Sequence, residues 1–68
     1  MKTKMDKEWM IRHLTKDMIH YNAMFERFCN FAKYEENVKL RAEYFRMALK
    51  YGELGNDAKL AILNLKVA

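Results

Sequence analysis

Apolar side chains recur along the first half of the chain at alternating steps of three and four residues. Only an α-helix places positions with this spacing on one face, and paired helices use such a face to pack lengthwise. Thr3, followed by Asp6, resembles a capping pattern at the start. The spacing therefore predicts a long first helix over about residues 4–33. Its apolar face contains Ile11, Leu14, Met18, Tyr21, Phe25, Phe28 and Ala32, flanked by Met10, Met24 and Phe31.

A second apolar set follows in a different phase. Its members are Val38, Ala42, Phe45 and Leu49, widened by Tyr44, Ala48 and Tyr51. Extending the first face forward would place Glu35, Lys39 and Arg46 in a core, so the phase must change between Tyr34 and Asn37. This predicts a turn and an antiparallel second helix over about residues 37–51. A single helix through both segments is the alternative, because no glycine or proline enforces the turn.

The C-terminal segment is predicted to form a third helix over about residues 57–67. Gly52, followed by Gly55, is expected to end helix 2, and Asn56 or Asp57 is expected to cap helix 3. Apolar side chains point in nearly every direction here, and such a helix must be covered on several sides. A terminal β-strand is the alternative, but no second strand exists to pair with it. The expected fold is an all-α bundle of two to three helices, completed by a partner subunit.

Chain length also favours oligomerisation. The 68 residues allow one domain, and 51% of them are hydrophobic. Ordering a chain costs about 1.5 kcal/mol per residue, which the burial of apolar area barely exceeds at this size. Small domains compensate with disulfides, metals or oligomerisation. Because Cys29 is the single cysteine, an intramolecular disulfide is excluded. We therefore expect a homo-oligomer, most simply a homodimer.

Hydropathy and charge add little about location or partners. No apolar stretch follows the N-terminus as a signal peptide requires, and none approaches the length that spans a bilayer. A lone cysteine fits a reducing compartment. These features predict a soluble cytoplasmic protein without a membrane partner. The net charge of +4, from 13 basic and 9 acidic residues, is a mild excess that solubility alone explains.

Catalytic chemistry is not indicated. The sequence has no carboxylate pair among apolar residues and no glycine-rich phosphate loop, so we expect neither an enzyme nor a cofactor. Cys29 would need an adjacent base to act as a nucleophile, and the nearest histidine in sequence is His20, about 13 Å away along the same helix. A small apolar filler beside the helix face is the simpler interpretation of Cys29.

One strip of helix 1 carries candidate metal ligands. His13, Asp17 and His20 share a face at helical spacing, and imidazole and carboxylate groups are zinc ligands. No sharper metal motif accompanies them, so a solvated polar strip is the favoured interpretation. A metal-dependent assembly is the third-ranked hypothesis.

Exposed apolar residues provide the leading functional hypothesis. Trp9 and Ile19 fall opposite the packing face of helix 1, and tryptophan is often a dominant contact in protein interfaces. Leu60, Leu63 and Val67 are the apolar candidates in the C-terminal segment. Together these five residues predict an interaction surface. The expected function is that of a small non-catalytic interaction or regulatory protein that binds itself and an unidentified protein partner.

A nucleic-acid-binding regulator is the alternative. The basic cluster of Lys4, Lys7, Arg12 and Lys16 lies in the N-terminal part of helix 1, diluted by Asp6 and Glu8. Specific binding requires basic groups concentrated on one face. The outer strip of helix 2 instead alternates in sign, as a self-paired solvated surface does. It contains Glu36, Lys39, Glu43, Arg46 and Lys50.

Overall fold

The protein is a hairpin of two long antiparallel helices. A computed structural model describes the backbone of residues 2–67 and the side chains of residues 6–67. Helix α1 spans Lys2–Tyr34 and helix α2 spans Val38–Val67. They pack along their length into a rod measuring 55 × 15 × 12 Å. The all-α class is confirmed, since residues 2–67 contain no strand. Thr3 lies inside the first turn of α1, so its prediction as the cap is wrong.

The turn between the helices is fixed by Asn37. Its side-chain Oδ1 accepts a hydrogen bond from the backbone N–H of Leu40 at 3.0 Å, which is the N-cap geometry. Its backbone carbonyl accepts from the N–H of Arg41 at 2.8 Å, the first bond of α2. The Glu35 carboxylate in turn accepts from the N–H of Asn37 at 3.1 Å. The predicted turn is confirmed, and the alternative of one continuous helix is excluded.

The predicted packing face of α1 is confirmed. Ala32 is fully buried, and the other members of the face are half-buried, except for Phe25 at the edge, which is 37% exposed. The ring of Phe28 stacks on Tyr51 of α2, with centroids 5.8 Å apart and planes 4° from parallel. Tyr44 of α2 lies 6.1 Å from Phe28 and 5.4 Å from Phe31. Aromatic contacts therefore join the two helices near the turn.

The predicted packing face of α2 is wrong in part. Val38, Phe45 and Leu49 are 67%, 51% and 67% exposed, and Ala42 is exposed as well. The residues expected only to widen that face form the N-terminal half of the true contact. This contact face runs at steps of three and four through Tyr44, Ala48, Tyr51, Gly55, Ala58, Ile62 and Leu65. Helix α2 carries two apolar stripes. Which of the two packs along α1 becomes clear only from the residues that follow Gly52.

Gly52 and Gly55 lie inside α2, so the predicted break and the separate third helix are wrong. Neither glycine has a positive φ. A Cβ on Gly55 would lie 2.7 Å from Oδ1 of Asn22, and one on Gly52 would lie 3.2 Å from Cδ1 of Phe25. Both glycines therefore serve the close approach of α1 rather than helix termination. Asn56 and Asp57 consequently lie within the helix and cap nothing.

The interior of the hairpin is thin. Among the described residues, the buried hydrophobic side chains are those of Ala32, Ala48, Ala58 and Ile62, and no large side chain is less than 2% exposed. Small residues on α2 receive the larger side chains of α1, as the contacts of Gly52 and Gly55 show. Two helices alone therefore bury little apolar volume. Neither helix, over its described residues, has the length of apolar sequence that crossing a bilayer requires.

Candidate interaction surfaces

The most exposed apolar surface follows the side of α2 that faces away from its contact with α1. We call it the outer stripe. It consists of Val38, Ala42, Phe45, Leu49, Leu60, Leu63 and Val67, and its six large side chains are 48–83% exposed. Successive members within each half of the stripe are three or four residues apart, so they share one face of the helix. The outer stripe is a second packing face that α1 leaves uncovered.

A second apolar surface spans both helices, and we call it the methionine face. Every member except Leu40 immediately precedes a residue of the α1 packing face or of the α2 contact face, and Leu40 continues the seven-residue spacing of the members on α2; equivalent positions on antiparallel helices meet on one side of the pair. The members are Met10, Met24 and Phe31 on α1 and Leu40, Met47, Leu54 and Ala61 on α2. Met10, Phe31 and Leu40 are 41–46% exposed, and the rest are half-buried. This surface is more covered than the outer stripe.

The opposite side of the hairpin carries a groove beside the two glycines. Its volume is about 320 Å³, and its lining mixes apolar and polar side chains. Met18 and Phe25 provide the apolar part, and Asn22, Asn56 and Lys59 provide the polar part. Lys59 is the one charged residue in this lining, so the groove brings together no acid–base pair. Its chemistry is that of an open amphipathic surface.

The predicted interaction residues lie on two separate surfaces. Leu60, Leu63 and Val67 belong to the outer stripe of α2, where they are 50%, 48% and 83% exposed. Trp9 and Ile19 lie on α1 and are 54% and 60% exposed. The Trp9 ring packs edge-on against His13 of its own helix, at 4.1 Å between centroids. The structure thus leaves all five side chains exposed but does not join them into one patch.

The predicted metal ligands are not assembled into a site. His13 packs against Trp9, and the His20 ring lies 5.8 Å from the ring of Tyr21. Nowhere in the described part of the chain do three His, Cys, Asp or Glu side chains come together as metal ligands would. Asp17 is exposed beside the methionine face. Cys29 is a free, half-buried thiol, consistent with its interpretation as a filler.

The basic residues of the nucleic-acid hypothesis are only partly gathered. Arg12 and Lys16 line a shallow depression of about 190 Å³ with Trp9 and His13. Lys7 is exposed beside the acidic Asp6 and Glu8. The side chain of Lys4 lies outside the described residues.

The charged strip of α2 contains the expected self-pairing at one position. Arg46 Nη1 lies 2.9 Å from Glu43 Oε1, one helical turn away, and both side chains are exposed. Such a pair contributes a few tenths of a kcal/mol.

Comparison of the chain with known protein families, curated proteins and solved structures finds no match. Residue placement is therefore the basis for any functional conclusion.

Sequence reasoning missed the C-terminal half of the contact face, formed by Gly55, Ala58, Ile62 and Leu65. The signal for it was present, because the steps of three and four from Tyr44 continue through Leu65. The series was interrupted because helix 2 was predicted to end at Gly52, before Gly55. A glycine at a contact position is equally a site of close helix approach.

Proposed function

We propose that this chain is a small non-catalytic interaction or regulatory protein that acts as an oligomer and binds another protein through its apolar helical faces. The observation that carries the proposal is the apolar surface left uncovered on the outer stripe and the methionine face. Soluble monomers rarely expose contiguous apolar patches larger than a few hundred Å², and larger ones mark interaction sites.

The total surface area supports the same proposal. The chain exposes 5614 Å². A folded monomer of 8.2 kDa is expected to expose about 4,500 Å² from the scaling of surface with mass. The excess is about 1,100 Å², and a standard protein interface covers about 800 Å² of each partner. One interface of ordinary size accounts for most of the excess.

Thermal stability is expected to depend on protein concentration. Association of folded chains stabilises the folded state by mass action, so the melting temperature should rise between 5 and 500 µM, by about 5 °C or more for a domain of this size. Circular dichroism melts at both concentrations, with light scattering for the mass, measure this. A monomer mass and a constant melting temperature at 500 µM would contradict oligomer formation.

The free thiol of Cys29 suits the reducing cytoplasm, where we place the protein.

Nucleic-acid binding is the second candidate function. The observation that favours it is the depression on α1 where the exposed Trp9 lies among Arg12, His13 and Lys16. Aromatic faces stack on unpaired bases and basic groups contact phosphates, a combination used by proteins that bind single strands.

Paired charge removals test this second candidate. For a labelled single-stranded oligonucleotide, the slope of log affinity against log salt should fall by about 1.4 in the double variant Arg12→Ala/Lys16→Ala, at about 0.7 per phosphate contact. The control Lys39→Ala/Lys50→Ala removes the same charge from α2 and should leave the slope unchanged. Equal losses in both variants, or no binding by the wild type at low salt, would exclude a specific role for the α1 depression.

A further inference from the structure

We propose that the outer stripe of α2 binds the same stripe of a second copy of this chain, with the two α2 helices antiparallel. The two-fold axis passes between Gly52 and Glu53. This inference rests on the proposed oligomeric function and specifies which surface forms the oligomer, in which direction and in which register.

The spacing of the stripe is self-complementary about that axis. Four pairs of positions lie at equal distances on either side of the Gly52–Glu53 peptide; three of them join two residues of the outer stripe, and the fourth joins Leu49 with Asn56, which stands between the two halves of the stripe. They are Leu49 with Asn56, Phe45 with Leu60, Ala42 with Leu63, and Val38 with Val67. An antiparallel two-fold dimer brings each residue beside the counterpart of its pair on the other chain. Apolar side chains therefore meet apolar side chains at three of the four levels, with small Ala42 beside the larger Leu63.

The two halves of the stripe also face the same way. The two halves repeat after eighteen residues, since Ala42 corresponds to Leu60, Phe45 to Leu63 and Leu49 to Val67. Eighteen residues are five full turns of an α-helix, so the halves point in one direction without supercoiling. The stripe is a straight contact line along the helix, and a second straight helix fits against it.

Opposite charges on one flank of the stripe support the antiparallel orientation. On one flank of the stripe, the N-terminal half of α2 carries Arg46 and Lys50, and the C-terminal half carries Glu53 and Asp57. About the proposed axis, Arg46 lies near Asp57 of the second copy and Lys50 near Glu53 of the second copy. These contacts between opposite charges favour the antiparallel register.

Exposure favours the outer stripe over the methionine face as the surface that binds the second copy. In the single chain, the exposed fractions of Val38, Leu49 and Val67 are 67–83%. On the methionine face, Met24, Met47 and Leu54 are already half-buried by the hairpin itself. Covering the outer stripe therefore removes more apolar surface from water for each residue, which is the main driving term in association.

Disulfide capture tests the register. In a Cys29→Ser background, Leu49→Cys and Asn56→Cys are made as separate proteins. Each is expected to stay monomeric on a non-reducing gel, because in the proposed dimer neither position lies beside the same position of the second chain. An equimolar mixture should form the covalent dimer, since a disulfide needs Cα atoms within about 7 Å. Self-linking of Leu49→Cys would show a parallel pairing and overturn the proposal, as would a mixture that does not link while light scattering shows a dimer.

A matched pair of substitutions tests the surface. Leu49→Glu on the outer stripe should raise the dimer dissociation constant about 100-fold, because two carboxylates would be buried in an apolar contact. Leu40→Glu on the methionine face should change it less than about threefold. Far-UV circular dichroism confirms that each variant is helical, and the disulfide test decides the register if Leu49→Glu fails to fold.

The outcomes separate the inference from the proposed function. A dimer broken by Leu40→Glu and not by Leu49→Glu would place the second copy on the methionine face, which overturns this inference and leaves the oligomer standing. A wild-type chain that is monomeric at 500 µM would overturn both.

Discussion

Replacing Phe28 by alanine is expected to remove about a third or more of the protein's stability at 25 °C. The Phe28 ring stacks on Tyr51 and lies within 6.1 Å of the ring centroids of Tyr44 and Phe31, so it lies at the centre of the aromatic contacts between the helices. Removing such a ring costs about 3 kcal/mol through lost burial and the cavity left behind. A chain of this length has a total stability of about 3–10 kcal/mol, so one substitution removes a large fraction.

Urea titration followed by far-UV circular dichroism measures this loss. Tyr34→Ala is the matched control, because Tyr34 is also an aromatic residue of α1 but is 76% exposed. The ammonium group of Lys33 lies 5.5 Å from the centroid of its ring. We expect Tyr34→Ala to cost less than about 0.5 kcal/mol, as surface substitutions do. Similar losses in both variants would mean that Phe28 does not hold the helices together.

The second large effect is expected from Gly55→Leu. Gly55 is buried at the contact between the helices, and a Cβ there would already lie 2.7 Å from Oδ1 of Asn22 and 3.6 Å from Cβ of Tyr21. A leucine side chain extends further toward α1 and must separate the helices locally. Overpacking of this kind costs about 1–3 kcal/mol, and more when a backbone has to move.

Gly55→Ala is the control that identifies what the glycine does. Its Cβ requires only the amide end of Asn22 to turn away, and Asn22 is exposed. Alanine also gains about 1 kcal/mol over glycine inside a helix. We therefore expect Gly55→Ala to be neutral or stabilising in thermal melts. A clear destabilisation by alanine together with tolerance of leucine would contradict close packing as the reason for this glycine.

Helix α1 and the turn were predictable because their signals are local and agree with one another. The face from Ile11 to Ala32 repeats without interruption, and Asn37 stands where the apolar phase changes. Helix α2 was harder, because two apolar stripes compete for the role of contact face. Local spacing ranked Phe45 and Leu49 as core, whereas the fit of large α1 side chains against Gly55 and Ala58 selects the other stripe. That fit is a property of two helices together.

For the candidate interaction surfaces too, the local signal was predictable from the sequence and the arrangement that depends on the whole helix was not. The sequence indicated that the segment from Leu60 to Val67 is apolar on more sides than one short chain covers, and the structure leaves Leu60, Leu63 and Val67 exposed. Sequence alone did not connect them with Phe45 and Leu49, because a helix break was expected between the two groups. Only the continuity of α2 joins them into one stripe. The oligomer itself stays a prediction.

The separation of Trp9 from the tyrosines has a spectroscopic consequence. Trp9 lies toward the open end of the rod, whereas Tyr44 and Tyr51 lie on the turn side, within the Phe28 cluster. Selective excitation of the single indole therefore reports on the open end, whereas the signal of the four tyrosines reports on the rod from its middle to the turn. If the hairpin melts as one unit, the two transitions coincide. An earlier tryptophan transition would show that the two helices separate first at the open end of the rod.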